Sequence, residues 1–578
     1  MELQRKSLEE VKYTKNTIRE RYALKKRVLL LAVLVIISTV FSACNIDLSS
    51  LLEEENKDYD FLNGGMDDVL DTGPVKNGVL NLFSTEPDTL NPILTANAYV
   101  KEYSCFVFES LVRMDGNQKA VPLLAESWEG SDDGLIWTFY LKENIYWHDG
   151  IPFSAEDVEF TANIIMNAGV NSPYKTCLEN VESVLAQDSK TFKVLLKSPN
   201  SFTPELMTFP IIPKHYYLGE DILTTPKNNS PIGTGPYKFS HYKQNEYIRL
   251  SNNENWWNRG SEDENGIGLP YIQEINIKIY DRNQSVMNAF QSQEVDVITA
   301  DRTNWIGYSG RTDIFLKKYV SNEFEFIAFN LSNKILKEKE VRTAIAYAVD
   351  REQIISSVMP GEAVASDLPV IPDTWLNDTN VVSYERNVEK ARQILLDGGW
   401  KENNGLFYKR IDGINTRLSL ELMVNDDNET RLSVAEMIKE QLNEAGIEIE
   451  IKEVKWDEEL NRIQTGKFDM VFIGCTVSSI PDISFLYSSA EIGTGLNISG
   501  YSNEIVDRYL SSILKEKDPS MKKAYFINMK EIINRDLPYL GLYFYNNVVV
   551  YNKRLRGELN PSTWDKYYDF ARWYIPVE

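Results

Sequence analysis

The stretch between Val434 and Ile473 constrains the fold more than any other part of this chain. Apolar residues at helical spacing run from Val434 to Leu442, Ala445-Gly446 follows, and Ile447–Ile451 then alternates as a strand does. A further apolar run, Met470–Ile473, lies shortly downstream. A helix that ends at glycine and leads into a strand is typical of a sheet with helical crossovers. The pattern therefore predicts an α/β fold.

The same mixture of elements extends over most of the chain. Val79–Phe83, Trp137–Leu141 and Ile275–Ile279 have the composition and alternation of strands. Ser154 is a candidate N-cap for a helix that begins at Ala155, with Asp157 as its capping-box partner. With 578 residues, the chain is long enough for more than one domain.

Cys44 stands at the end of an N-terminal targeting segment. Lys25-Lys26-Arg27 precedes a mostly apolar run from Val28 to Phe41, in which Ser38 and Thr39 are the polar residues, and two small residues separate that run from the cysteine. A positive segment, an apolar stretch and small residues at a cleavage site are the parts of a secretory signal peptide. The run is too short for a comfortable membrane span, which needs about 20 residues.

The ending Phe41–Cys44 resembles the lipobox of bacterial lipoproteins, whose cysteine is diacylated and becomes the new first residue. Phe41 departs from the usual leucine, and the segment before Lys25 is long. The alternative is an uncleaved signal anchor, or a cysteine without this role. The resemblance implies a signal peptide over residues 1–44, lipid attachment at Cys44 and a location at the outer face of the cell membrane. Residues 45–78, acidic and poor in large apolar side chains, are predicted to form a flexible tether.

The charge of the chain is strongly negative, with 61 Lys+Arg against 85 Asp+Glu and a net charge of −24. Residues 1–44 carry nine Lys+Arg and four Asp+Glu, a net of +5, which leaves −29 for the remainder. Such a charge argues against binding to nucleic acid or to an anionic bilayer surface. Once Cys44 carries lipid, three scattered cysteines are left, which make neither a disulfide framework nor a CxxC metal site.

The sequence does not carry the motifs of common catalytic sites. Its three histidines, His148, His215 and His241, do not have HxxxH spacing, and no GxSxG elbow is present. Gly233-Thr234-Gly235 and Gly266-Ile267-Gly268 each lack the third glycine of a dinucleotide fingerprint, and no lysine follows at P-loop spacing. We therefore predict no enzymatic activity, no cofactor and no metal site.

A long ordered pattern begins at Ala125-Glu126-Ser127-Trp128-Glu129 and continues through Asp133–Lys142 to Trp147–Val158. It closely resembles the signature of family 5 solute-binding proteins, the peptide- and nickel-binding class of ABC importers. Further landmarks of the family follow the same order along the chain: Thr85–Pro92, Gly233–Tyr237, Val341–Arg351, Gly495–Asn497 and Leu537–Tyr539. The resemblance covers about Val79 to the C-terminus.

The resemblance implies a two-lobed periplasmic-binding-protein-like α/β fold, with a hinge and an extra domain inserted in lobe I. By similarity, lobe I takes residues 79–97, 205–315 and 541–578. The inserted domain takes residues 98–204, and lobe II takes residues 316–540. The chain then crosses between the lobes twice, which makes a two-strand hinge.

One departure from the family concerns the ligand's charge. In its peptide binders, a strand leaving lobe II carries Gly-Trp and then an aspartate that receives the α-ammonium group of the peptide. When this sequence is aligned with that pattern without gaps, Gly474 matches the glycine. Cys475 then takes the position of the tryptophan, and Ser478 takes the position of the aspartate. A hydroxyl cannot neutralise an ammonium, whose unpaired burial costs several kcal/mol. Three interpretations stay open: Asp482 supplies the carboxylate, the ligand has no free amine, or Asp482 only caps a turn.

The resemblance implies an extracytoplasmic lipoprotein that captures a peptide or peptide-like solute and delivers it to an ABC permease and its ATPase. We expect a monomer that binds no nucleic acid. The predicted ligand-binding residues come from lobe I, from lobe II and from the hinge region: Glu86, Thr89, Gly474, Cys475, Thr476, Ser478, Asp482, Tyr543 and Tyr545. The alternatives are a non-peptide solute such as a metal chelate or an oligosaccharide, a ligand-sensing receptor for signalling, and a surface hydrolase.

Overall fold

The computed structural model describes residues 73–260, 268–281, 283–300, 305–377 and 383–576. The predicted signal peptide, Cys44 and the predicted tether as far as residue 72 lie outside the described residues. Among the helices that are described, none has both the length and the apolar character needed to span a membrane.

Strands occur along the whole described chain. In chain order they are β1 (Val79–Ser84), β2 (Val112–Met114), β3 (Ala120–Pro122), β4 (Ala125–Gly130), β5 (Ile136–Leu141), β6 (Val181–Asp188), β7 (Thr191–Leu196), β8 (Tyr237–Lys243), β9 (Tyr247–Asn252), β10 (Glu274–Ile279), β11 (Val297–Ala300), β12 (Ile314–Phe329), β13 (Ala363–Ala365), β14 (Lys401–Asn403), β15 (Leu406–Ile411), β16 (Ile414–Arg417), β17 (Ser419–Asn425), β18 (Glu448–Val454), β19 (Met470–Thr476) and β20 (Tyr539–Asn552).

Helices alternate with these strands. In chain order they are α1 (Ala98–Tyr103), α2 (Ala155–Met166), α3 (Thr203–Leu206), α4 (Lys214–Tyr217), α5 (Asn283–Gln291), α6 (Lys339–Ala348), α7 (Arg351–Val358), α8 (Val388–Asp397), α9 (Glu429–Glu444), α10 (Trp456–Gln464), α11 (Ser484–Tyr487), α12 (Glu504–Lys515) and α13 (Pro519–Asp536).

The local predictions from the sequence are confirmed where these elements form. The predicted capping box opens α2, because the Asp157 carboxylate accepts the backbone N–H of Ser154 at 3.0 Å. Helix α9 ends at Glu444, and Gly446 has a φ of +83°, a left-handed conformation that glycine adopts without strain. Strand β18 then begins at Glu448 and pairs in parallel with β17, as a helical crossover requires.

Lobe I, as we use the term, is the part of the molecule built on the sheet β1-β10-β9-β8. Strands β1 and β10 are parallel, with Val79 opposite Glu274, and the remaining pairs are antiparallel. A second antiparallel sheet, β4-β5-β7-β6, comes from the chain between β1 and β8, and we call it the inserted sheet. Both sheets contribute to one continuous hydrophobic core, which also takes in Val549, Tyr551 and Trp573 from the C-terminal segment.

Lobe II is the part built on β17, β18 and β19, which belong to a sheet of order β11-β20-β12-β19-β17-β18. Strands β12 and β20 are long and pair with each other in antiparallel fashion over most of their length. Their two ends lie in different cores, because Ile314 and Val550 pack with β11 while Phe329 and Leu540 pack in lobe II. The register between them shifts between Val320 and Phe324, near the middle of the crossing. These two strands join the lobes.

Candidate binding cleft between the lobes

A cleft lies where the loop after β19 approaches lobe I. Its first cavity has a volume of about 570 Å³ and is lined by Val477–Ile480 from lobe II and by residues near the inserted sheet, including Glu179 and Asn180. Its second cavity has about 580 Å³ and is lined mainly by lobe I and the C-terminal segment. Ser479 and Trp564 line both cavities, so the two are adjoining parts of one cleft.

Contacts cross the cleft at the tip of the β2–β3 hairpin. The Gln118 side chain donates from Nε2 to the backbone oxygen of Ser479 at 3.1 Å and to that of Ser478 at 3.4 Å. Trp375 of lobe II donates its backbone N–H to the Asn117 oxygen at 3.3 Å. The lobes therefore touch directly beside the two cavities.

A second contact between the lobes lies where the chain leaves the inserted sheet. Phe202 is fully buried within a core cluster whose other buried members belong to lobe II. Ser201 donates its backbone N–H to the Leu514 oxygen of α12 at 2.6 Å. The Lys522 ammonium of α13 lies 4.0 Å from the centre of the Phe202 ring.

Four of the eight charged side chains that line the larger cavity form ion pairs with one another. Lys566 Nζ lies 2.5 Å from Glu102 Oε2, and Arg113 Nη1 lies 3.3 Å from Asp569 Oδ1. Glu109 is buried and accepts hydrogen bonds from the Trp257 indole at 2.8 Å and from the Thr234 hydroxyl at 2.9 Å. Burial raises the pKa of Glu109 to about 7. The hydrogen bonds oppose this rise, because they favour the charged form of the carboxylate.

A buried ion pair lies against Gly474 on β19. Arg431 of α9 donates from Nε and Nη2 to the two oxygens of Glu325 at 2.8 and 2.9 Å, and from Nη1 to Asn425 Oδ1 at 2.9 Å. Two parallel N–H···O bonds of this kind are strong and directional. A Cβ on Gly474 would lie 2.5 Å from Glu325 Oε1 and 2.8 Å from Arg431 Nη2, so the ion pair occupies the space above this glycine.

Glu459 lies near the same ion pair. Its side chain is inaccessible to solvent, and neither carboxylate oxygen has a hydrogen-bond partner within the described part of the chain. Burial raises the pKa of Glu459 to about 7; Arg431 opposes this, and the carboxylates of Asp427 and Glu325 add to it.

The two residues predicted from lobe I lie together in the loop after β1. The Glu86 carboxylate accepts the Tyr242 hydroxyl at 2.5 Å and the Asn245 backbone N–H at 2.9 Å, which ties the loop to the β8–β9 hairpin. Thr89 accepts the Asn91 backbone N–H at 3.1 Å. Neither residue lines the two cavities.

The predicted residues of lobe II follow one another along β19 and its loop. Gly474 and Cys475 are half-buried and Thr476 is exposed, and all three pair with β12. Burial raises the pKa of the Cys475 thiol to about 12, so it stays protonated. Of this set, Ser478 lines a cavity. Its hydroxyl donates to the Ile480 oxygen at 2.9 Å.

Asp482 and the two predicted tyrosines take structural positions. Asp482 Oδ1 accepts the backbone N–H of Ser484 at 2.9 Å, which is the geometry of an Asx turn just before α11. Tyr543 and Tyr545 are buried on β20, with ring centroids 5.2 Å apart. None of these three lines the two cavities, and the binding role of every predicted site residue stays a prediction.

Several lining residues that were not predicted from the sequence lie in the C-terminal segment. Trp564 lines both cavities, and Asp565, Lys566 and Asp569 line the larger one. The available signal was the dense run of aromatic and charged residues between Trp564 and Phe570. The described residues contain no group of three or more His, Cys, Asp or Glu side chains placed to hold a metal ion.

Two α/β lobes joined by a pair of crossing strands, with a cleft beside the crossing, define the class of two-lobed periplasmic binding proteins. Within that class, residues 119–494 match the model of the bacterial extracellular solute-binding proteins, family 5 Middle. The chain belongs to this family. The resemblance and the fold class expected from the sequence are thereby confirmed.

Similar proteins span nearly the whole chain. Over 563 residues the chain is 26% identical to the oligopeptide-binding protein AppA of Bacillus subtilis, a match that covers 95% of this chain and 99% of AppA. The structure of AppA in complex with a nonapeptide covers 87% of this chain and 100% of its own, with a TM-score of 0.59. NikZ from Campylobacter jejuni in complex with Ni(L-His) is 25% identical, with the same coverage and a TM-score of 0.61.

Proposed function

We propose that this protein is an extracytoplasmic lipoprotein that captures a peptide or peptide-like solute and delivers it to an ABC importer. The observation that carries the proposal is the cleft between the lobes, whose two adjoining cavities of about 570 and 580 Å³ meet at Ser479 and Trp564. Cavities of this size suit a ligand of several residues. The likeness to AppA over almost the full length of both chains supports a peptide as the ligand.

The edge of β19 gives a physical means to hold an extended peptide. Among the described strands, β17 pairs with β19 only through Met470 and Val471. The edge from Phe472 to Thr476 therefore has no strand beside it, and it leads into the loop that lines the first cavity. An extended ligand can add to such an edge through main-chain hydrogen bonds, which give affinity with little dependence on side chains.

Closure of the two lobes around the ligand follows from the way they are joined. Strands β12 and β20 cross between the lobes, and their register shift near Val320 breaks the regular ladder at that point. A few residues that absorb changes in φ and ψ are sufficient for hinge closure. The closed form is the one that we expect the permease to recognise, and the protein then performs no covalent chemistry itself.

A metal chelate is the second candidate ligand, because NikZ in complex with Ni(L-His) is 25% identical over the same part of the chain. The two candidates separate in one experiment. Wild-type protein is heated with peptide libraries of two to nine residues, with Ni(L-His), or with neither, and the unfolding temperature is followed.

We expect the peptide libraries to raise the unfolding temperature, because a ligand that binds only the native state stabilises it by mass action. Stabilisation by Ni(L-His) with no response to any peptide library would overturn the peptide assignment. Mass spectrometry of the ligand that co-purifies from the native host gives an independent answer.

A further inference from the structure

Asp565 lies at a turn in the C-terminal segment that closes the cleft. Its backbone N–H donates to the Ser562 hydroxyl at 3.2 Å, and its backbone oxygen accepts the Ser562 N–H at 3.0 Å. Its Oδ1 accepts the backbone N–H of Tyr567 at 2.9 Å. These bonds hold the half-buried side chain in place on the wall of the larger cavity.

Asp565 forms no ion pair with the cations that line the same cavity, although Arg113 is near enough to act on its charge. Of the other acidic residues on this wall, Glu102 is paired with Lys566 and Asp569 with Arg113. Glu109 has its own set of indole and hydroxyl donors. No Lys, Arg or His nitrogen of the described residues forms an ion pair with Asp565 within 4 Å.

Burial makes the charged form of the Asp565 carboxylate costly. Burial raises the pKa of Asp565 to about 6, partly opposed by the Tyr567 N–H and by the charge of Arg113, while Asp569 adds to the rise. A carboxylate whose charged form is disfavoured by desolvation gains most when a cation enters beside it. The cavity therefore has a site for positive charge.

Ser478 does not provide such a site on the other side of the cleft. Its hydroxyl donates to the Ile480 oxygen, and Asp482, the nearest acidic residue in the same loop, accepts the Ser484 N–H outside both cavities. The carboxylate that lines the same cavity as Ser478 is Glu179, which comes from beside the inserted sheet and not from the loop after β19. Asp565 and Ser479 line the same cavity, so one ligand in that cavity can contact both the C-terminal segment and the loop after β19.

We propose that Asp565 receives a primary ammonium group of the ligand in the larger cavity, either a peptide amino terminus or a lysine side chain. The proposal rests on the peptide-binding function proposed above and adds a charge requirement to it. The ammonium is thus neutralised from the C-terminal segment of lobe I, and the strand that leaves lobe II contributes main-chain contacts and no counter-charge.

The test compares three pentapeptide libraries, all amidated at the C-terminus. The first has uncharged side chains and a free amino terminus, the second is the same library N-acetylated, and the third is N-acetylated with one lysine. We expect wild-type protein to bind the first or the third at least about tenfold more tightly than the second, as a charged hydrogen bond in a cavity predicts. The library that is preferred identifies the source of the ammonium.

The variant Asp565→Asn keeps an oxygen for the Tyr567 N–H and removes the charge, so we expect it to bind all three libraries with similar affinity. Asp188→Asn is the matched control, because Asp188 accepts the Lys190 N–H in an exposed turn of the inserted sheet. It should keep the wild-type preference. Asp565→Ser serves in the same way as Asp565→Asn if the asparagine variant does not fold.

Equal binding of all three libraries by the wild-type protein would refute the role of Asp565 and leave the peptide function standing. Persistence of the preference in a folded Asp565 variant would refute it too. Failure of the wild-type protein to bind any library would instead count against the peptide function itself.

Discussion

At the scale of single residues, Gly474 shows how a backbone position depends on the side chains above it. Replacement by alanine would place a Cβ 2.5 Å from Glu325 Oε1 and 2.8 Å from Arg431 Nη2. The buried ion pair must then shift or break, so we expect Gly474→Ala to lower the free energy of unfolding by about 1–3 kcal/mol. Chemical denaturation measures the change.

Gly307→Ala is the control for this substitution, because its added Cβ meets no atom within 4 Å and the backbone there needs no left-handed conformation. Its stability should stay within about 0.5 kcal/mol of the wild type. An equal loss in both variants would mean that the ion pair does not constrain Gly474.

A second prediction for a single residue concerns Glu459 and the pH dependence of the free energy of unfolding. Its pKa is raised from 4.5 to about 7 in the folded protein, so the native state holds a proton that the unfolded chain has released. The contribution of Glu459 to the free energy of unfolding is fully present below about pH 4.5 and is lost as the pH rises toward 7 and above. Glu459→Gln removes the cost of charging this buried group beside Asp427 and Glu325.

We therefore expect Glu459→Gln to be more stable than the wild type at pH 8, by up to about 3 kcal/mol, and nearly equal to it at pH 4.5. Thermal unfolding of both proteins across this range gives the difference directly, and other titrating groups cancel in the comparison. A difference that does not depend on pH would show that Glu459 does not titrate in this window.

At the scale of elements, the segment between β7 and α3 joins the two lobes through one side chain. Phe202 is fully buried in the core of lobe II, beside the end of α12 and under the Lys522 ammonium of α13. Phe202→Ala leaves a cavity there, so we expect a loss of about 3–5 kcal/mol in stability and faster amide hydrogen exchange in α12 and α13.

Phe160→Ala is the comparison for that variant, because Phe160 is a half-buried residue of α2 that packs against the core of lobe I. Its effect on exchange should be confined to α2 and the inserted sheet. Unchanged exchange in α12 and α13 in the Phe202 variant would contradict the proposed contact.

The elements themselves were largely predictable from the sequence, and the site was less so. The capping box at Ser154 and the helix–glycine–strand pattern around Gly446 are local signals, so periodicity and turn chemistry were sufficient to find them. The cleft depends on contacts between residues far apart in sequence, such as Gln118 with Ser479. No local sequence pattern indicates that Asp565 lines the same cavity as Ser479. Nor does a local pattern indicate that the Glu86 carboxylate accepts hydrogen bonds from Tyr242 and Asn245.

At the scale of the whole molecule, the proposed lipid anchor makes a prediction about location. Acyl chains on Cys44 hold a protein at a membrane through about 0.8 kcal/mol per buried methylene. We expect Cys44→Ser to lack acyl groups by mass spectrometry and to shift the protein from the membrane fraction toward the soluble one. An uncleaved signal anchor would keep the variant in the membrane at its full length.

The packing of the C-terminal segment against β1 has a consequence for how this protein matures. Strand β20 lies between β11 and β12 in the sheet, and Trp573 packs in the core that contains Leu80 and Leu82. The chain of lobe II between β12 and β20 is continuous, so it is complete while lobe I still waits for its last residues. During synthesis and export, lobe II can therefore mature first, and truncation before Trp573 would leave the N-terminal half exposed to proteases.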